Sequence, residues 1–145
     1  PDIPQNLGAI IRLTACFDVP LSIIEPCGFP LGHKALRRVS MDYHDKSRIT
    51  LWKSWENFLK SFSKNSRMIL FTTKSNHNYN NFLFEKSDFL IFGRESSGVP
   101  DYVRDSMDYA IKIPLKIDVR SLNVVSAASI ALSEALRQTG QLNNN

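Results

Sequence analysis

The chain has 145 residues, 43% hydrophobic and 22% charged, with a formal net charge of +4. That suits one ordinary soluble globular domain with a single core, and no apolar run reaches the ~20 residues of a membrane span. The small positive surplus permits a polyanionic partner without demanding one.

In chain order, a strand is expected just before Pro1, leading into a helix at NLGAIIRLTACF (6–17). LSIIEP (21–26) reads as a buried strand, and the basic cluster of Lys34, Arg37 and Arg38 beside His33 as a short helix. WKSWENFLKSF places Trp52, Trp55, Phe58, Leu59 and Phe62 on one helical face. MILFTT (68–73), DFLIFG (88–93) and YAIKIP (109–114) are further strands. DYVRDSM follows Pro100, a residue suited to a first helical turn. A long helix runs from Leu122 to Gln138, Gly140 stops it, and the polar tail 141–145 frays. The strands are continuously apolar and alternate with helices. This predicts a single α/β domain over 1–145 with a mostly parallel sheet flanked by helices. Cys16 and Cys27 read as reduced, partly buried thiols of a cytoplasmic protein. His33, His44 and His77 are too scattered to form a metal site.

Neither GxGxxG after a strand nor GxxxxGK[ST] occurs, so a dinucleotide fingerprint and a P-loop are both unsupported. Three loops instead leave the carboxyl ends of strands: TTK (72–74), GRESSG (93–98) and PLKIDVRSLN (114–123). Ligands of open α/β sheets bind outside those ends. Such loops can form a pocket read mainly by backbone groups.

"PDIPQNLGAIIRLTACF", "FGRESSGVP" and "IPLKIDVRSLN" resemble, in order and spacing, the three motifs of the SPOUT methyltransferases. The likeness is greatest to the small TrmL-like tRNA wobble-nucleotide ribose 2′-O-methyltransferases. "IIEPCGF", "LRRVSMDYHD" and "LFTTK" extend it over nearly the whole chain. The resemblance implies a C-terminal deep trefoil knot, S-adenosylmethionine as cofactor without a metal, tRNA as substrate, and a homodimer in which each site is completed by the partner.

It also implies site residues. Phe71, Thr72, Gly93, Glu95, Gly98, Ile113, Ser121, Leu122 and Asn123 fall at cofactor positions, most of them through main-chain groups. Gly93 is expected to let the backbone approach the cofactor, and Gly98 to turn the chain before Pro100. Glu95 would be fixed beside the pocket. Arg12 matches the arginine assigned to catalysis or substrate positioning. A guanidinium is effectively always protonated, so binding the substrate phosphate and steadying the developing alkoxide suits it better than acting as a base. Asn6 resembles the asparagine that holds ribose or loop backbone. Lys34, Arg37 and Arg38 would meet the RNA backbone. Tyr43 or His44 stacks on an anticodon-loop base, or packs at the sheet edge. The run SAASIA (126–131) suits close helix–helix approach in a dimer or knot.

Family members usually continue the third motif as Arg-Ser-hydrophobic-Asn-Leu-Ser-Asn. Here Val125 and Ser126 depart from that pattern, and Ser133 replaces a frequent tyrosine. The alternatives are the same chemistry at another tRNA or rRNA site, a catalytically silent RNA-binding dimer, and an α/β binder of some other nucleotide.

Overall fold

The computed structural model describes residues 1–63 and 65–142, except the side chains of His33 and His44. Two compact units divide the chain, Pro1–Phe62 and Ser63–Asn145.

The first unit contains α1 (Pro4–Cys16), β1 (Leu21–Ile24), α2 (His33–Ser40), a 3₁₀ helix (Met41–Lys46), β2 (Ile49–Trp52) and α3 (Trp55–Ser61). Pro4 starts α1, where its missing N–H costs nothing. β1 and β2 pair in parallel, Leu21 opposite Ile49 and Ile24 opposite Trp52. Leu7, Ile11, Ile23 and Leu36 form the core between these elements. Gly8 lies where α1 meets α2, and a Cβ there would stand 2.6 Å from the Val39 carbonyl oxygen. Trp52 corrects the helical reading of WKSWENFLKSF, since it ends β2 and α3 begins only after Ser54. The Ser54 hydroxyl accepts a hydrogen bond from the Asn57 N–H, which fixes the helix start. Phe62, likewise expected on that face, lies just past the helix end. The aromatic cluster survives, with Phe58 5.9 Å from Trp52, 5.0 Å from Trp55 and 5.7 Å from Phe62.

The second unit contains β3 (Met68–Phe71), a 3₁₀ turn (Tyr79–Asn81), β4 (Phe89–Phe92), α4 (Asp101–Arg104), β5 (Tyr109–Ile111) and α5 (Val124–Gln138). Its sheet is parallel with β3 in the centre, in the order β4-β3-β5. All four residues of β3 are buried, as a central parallel strand requires. The parallel α/β reading is borne out, and β2 is the strand that the sequence pattern did not reveal.

The amino ends of these strands are pinned by side chains. Arg67, just before β3, makes a bidentate pair with Asp88, just before β4, at 2.7 Å on each arm. Asp108, just before β5, accepts the Met68 N–H at 2.7 Å. These contacts lock the register, so the carboxyl ends Phe92, Phe71 and Ile111 stand side by side. Beneath them Ile69, Phe71, Phe84, Ile111 and Ala131 form the core. Helix α5 closes on the sheet through Ala131. Cys27 is half-buried as expected, Cys16 is exposed and not partly buried because it sits at the end of α1, and neither is in a disulfide among the described residues.

Candidate functional site

In the second unit the three loops leave one sheet edge from adjacent strands. Phe71 supports the first, stacked on Phe92 (centroids 5.1 Å, planes 16° apart) and on Phe84 (6.4 Å, 2°). Thr72 donates its N–H to the Ile111 carbonyl at 2.9 Å, tying the first loop to the start of the third. Its hydroxyl accepts the Lys74 N–H at 3.3 Å.

The second loop is a narrow hairpin. Arg94 and Gly98 exchange two main-chain hydrogen bonds of 3.0 and 2.9 Å. Gly98 sits at φ +71°, a left-handed conformation that admits glycine without strain. A Cβ on Gly93 would lie 2.4 Å from the Gly98 carbonyl carbon and 2.7 Å from the Val99 nitrogen. The loop's own returning backbone thus excludes a side chain at Gly93. Glu95 is half-buried within the hairpin.

On the third loop, Ile113 packs against the core while Ser121, Leu122 and Asn123 are exposed. Asn123 caps α5, its side-chain oxygen accepting the Val125 N–H at 2.8 Å, so the helix starts at Val124, two residues later than expected. That bond uses the backbone of Val125, which explains why a residue without a hydroxyl serves there structurally. Ser126 and Ser133 are exposed on α5.

Among the described residues, the main-chain groups of Gly93, Ile113, Ser121 and Leu122 have no hydrogen-bond partner outside the regular elements. Unspent N–H and C=O groups on neighbouring loops suit a ligand offering both donors and acceptors, as an adenine edge and a ribose do. The donor set fits S-adenosylmethionine on that ground. A separate cleft of about 570 Å³ runs along the β5 edge, lined by Asn76, His77, Asn78, Phe82 and Tyr109 among others. None of the predicted cofactor residues lines it.

In the first unit, Asn6 is buried at the start of α1 and Arg12 is exposed two turns on. The Arg12 guanidinium lies over the Tyr43 ring, 5.2 Å from its centroid. Tyr43 also packs against the core of this unit. Lys34, Arg37 and Arg38 are exposed on one face of α2, with buried Leu36 on the other. The side chain of His44 lies outside the described residues. Sequence reasoning missed Gly8, although a glycine inside a helix, costing roughly 0.5–1 kcal/mol, signals a close approach.

Comparison with known proteins places this geometry. The model of the SpoU rRNA Methylase family matches residues 1–133. A tRNA (cytidine(34)-2′-O)-methyltransferase of Beijerinckia indica is 43% identical over 98% of this chain and 89% of its own. The Escherichia coli protein of the same name is 37% identical over 97% of this chain and 90% of its own. A solved structure from work on "the 2-OH methylation of C/U34 on tRNA" superposes with a TM-score of 0.87 at 34% identity, covering 100% of this chain and 93% of that one. The chain belongs to the SpoU methylase family.

Proposed function

We propose that this chain is an S-adenosylmethionine-dependent tRNA ribose 2′-O-methyltransferase acting on the wobble cytidine or uridine, nucleotide 34. The observation that carries the reading is the alignment of Phe71, Phe92 and Ile111 at one sheet edge, beneath three loops of which the second and third keep unspent main-chain groups. Relatives 37–43% identical over nearly the whole chain support the choice of reaction and substrate.

The bound cofactor supplies an already activated sulfonium methyl group. The chain's part is to align and to exclude water. Phe71, Thr72, Gly93, Glu95, Gly98, Ile113, Ser121, Leu122 and Asn123 hold the cofactor, largely through the backbone. Arg12 takes the phosphate of the target nucleotide and stabilises its ribose oxygen as that oxygen loses its proton. Asn6, being buried, holds backbone in place beside it. Lys34, Arg37 and Arg38 take neighbouring phosphates and His44 lies along the same RNA path. The working form in this proposal is a cytoplasmic homodimer of single SPOUT domains. Its C-terminal segment is threaded as a trefoil knot, and each site is completed by the partner.

Ribose-methylation mapping tests the proposal. Mass spectrometry of nuclease digests of tRNA from cells with and without the gene should show 2′-O-methylation of nucleotide 34 only where the gene is present. Identical methylation at nucleotide 34 in both would refute it.

A further inference from the structure

Several arginines in this protein meet carboxylates. Arg48 pairs with Asp18, Arg67 with Asp88, Arg104 with Asp101 and Arg137 with Glu134. Arg12, like Arg37 and Arg38, has no ion pair and no hydrogen bond among the described residues, but it alone of these three lies on a ring face, that of Tyr43. A ring face orients a guanidinium plane without occupying any of its five N–H donors. The planar cation is thus held in one attitude while its hydrogen-bonding capacity stays whole.

The surrounding structure is built to bring the ring there. Gly8, one turn before Arg12 on α1, lets the α2 backbone approach through Val39. The chain then reverses at Met41, whose φ of +46° is rare for a side-chain-bearing residue. The 3₁₀ helix that follows returns Tyr43 to α1. The Ser47 hydroxyl donates to the Tyr43 carbonyl and secures that turn. The ring face covered by Arg12 is not available for stacking on a base.

We infer that Tyr43 is a positioning residue for methyl transfer: its ring face is the platform that orients Arg12 toward an anionic or developing-anionic oxygen of the acceptor nucleotide. This rests on the role proposed above for Arg12. Tyr43 acts only through that guanidinium and takes no proton itself.

The test is steady-state methylation of tRNA by Tyr43→Leu, Tyr43→Phe, Arg12→Ala and the Tyr43→Leu/Arg12→Ala double variant. Affinity for S-adenosylhomocysteine, measured by calorimetry, reports an intact fold. Tyr43→Leu should lower kcat about 10-fold, the scale of loosening a group that must hold its attack geometry, with KM for S-adenosylmethionine unchanged. Tyr43→Phe keeps the ring and should retain at least about half the turnover. In the Arg12→Ala background, Tyr43→Leu should do nothing further. Should the leucine variant not bind the product, Tyr43→Met, which fills the same space flexibly, is read in its place. Full turnover in the leucine variant would overturn the inference. So would a phenylalanine variant as impaired as the leucine one, or additive losses in the double variant. Full turnover in Arg12→Ala alone would instead remove the role of Arg12 on which the inference stands.

Discussion

Gly93 has no room for a methyl group, because the backbone of Gly98 and Val99 passes 2.4–2.7 Å from where its Cβ would be. Gly98, by contrast, faces open space and is constrained only by its positive φ. The two glycines therefore predict different penalties. Gly93→Ala must force the hairpin apart and is expected to destabilise by about 1–3 kcal/mol, as overpacking does. Gly98→Ala carries only the left-handed backbone penalty, on the order of 1 kcal/mol. Denaturant titration measures both, and equal losses would contradict the crowding argument. Gly93→Ala should also weaken S-adenosylhomocysteine binding in calorimetry, because the hairpin is part of the proposed pocket.

Among the elements, α5 carries the clearest pH dependence. Arg137, and after it Gln138, hydrogen-bonds the Glu134 carboxylate and lowers its pKa from 4.5 to about 2. Gln138 in turn donates to the Phe82 carbonyl at 3.0 Å and accepts the Phe84 N–H at 2.9 Å, stitching the helix to the segment before β4. A depressed carboxylate contributes stability above its unfolded pKa and loses it as pH falls through the folded value. Stability should therefore decline between about pH 4.5 and pH 2 by about 1 kcal/mol, since the pair is partly solvated. Glu134→Gln should flatten that part of the curve in acid titration followed by circular dichroism, and an unchanged slope would assign it to other carboxylates.

Helix α2 presents a charge pattern with a different readout. Reversing Arg37 and Arg38 to glutamate should weaken tRNA binding and lower the slope of log K against log salt, by about 0.7–0.9 for each phosphate that is no longer neutralised. An unaltered slope would place the RNA path elsewhere.

Elements with continuous apolar runs were legible in the sequence. β1, β3, β4 and β5 fall inside the segments that pattern picks out, and α1 and α5 begin or end within about two residues of expectation, the usual scatter of helix boundaries. β2 was not legible, because Ile49–Trp52 adjoins an aromatic run whose spacing imitates a helix until Ser54 caps it. At the site, residue identity could be read but contact could not. The cation–π pair of Arg12 and Tyr43 joins residues far apart in sequence, and only the reversal at Met41 unites them. Likewise, the glycine pattern marked Gly93 as special, while the crowding partner was visible only once the hairpin was closed.

For the whole molecule, the second unit arranges three strand ends so that three loops can share one ligand. The pinned amino ends make this possible: Arg67–Asp88 and Asp108–Met68 set the register that aligns the opposite edge. Family membership and the likeness of relatives over almost their full length make nucleotide 34 of tRNA the natural substrate to test. The most direct measurement is a crystal structure of the protein with S-adenosylhomocysteine. The ligand is expected among residues 71–74, 93–98 and 113–123, hydrogen-bonded chiefly to main-chain groups. Finding it in the cleft along the β5 edge, or finding those three loops splayed apart around nothing, would contradict the account.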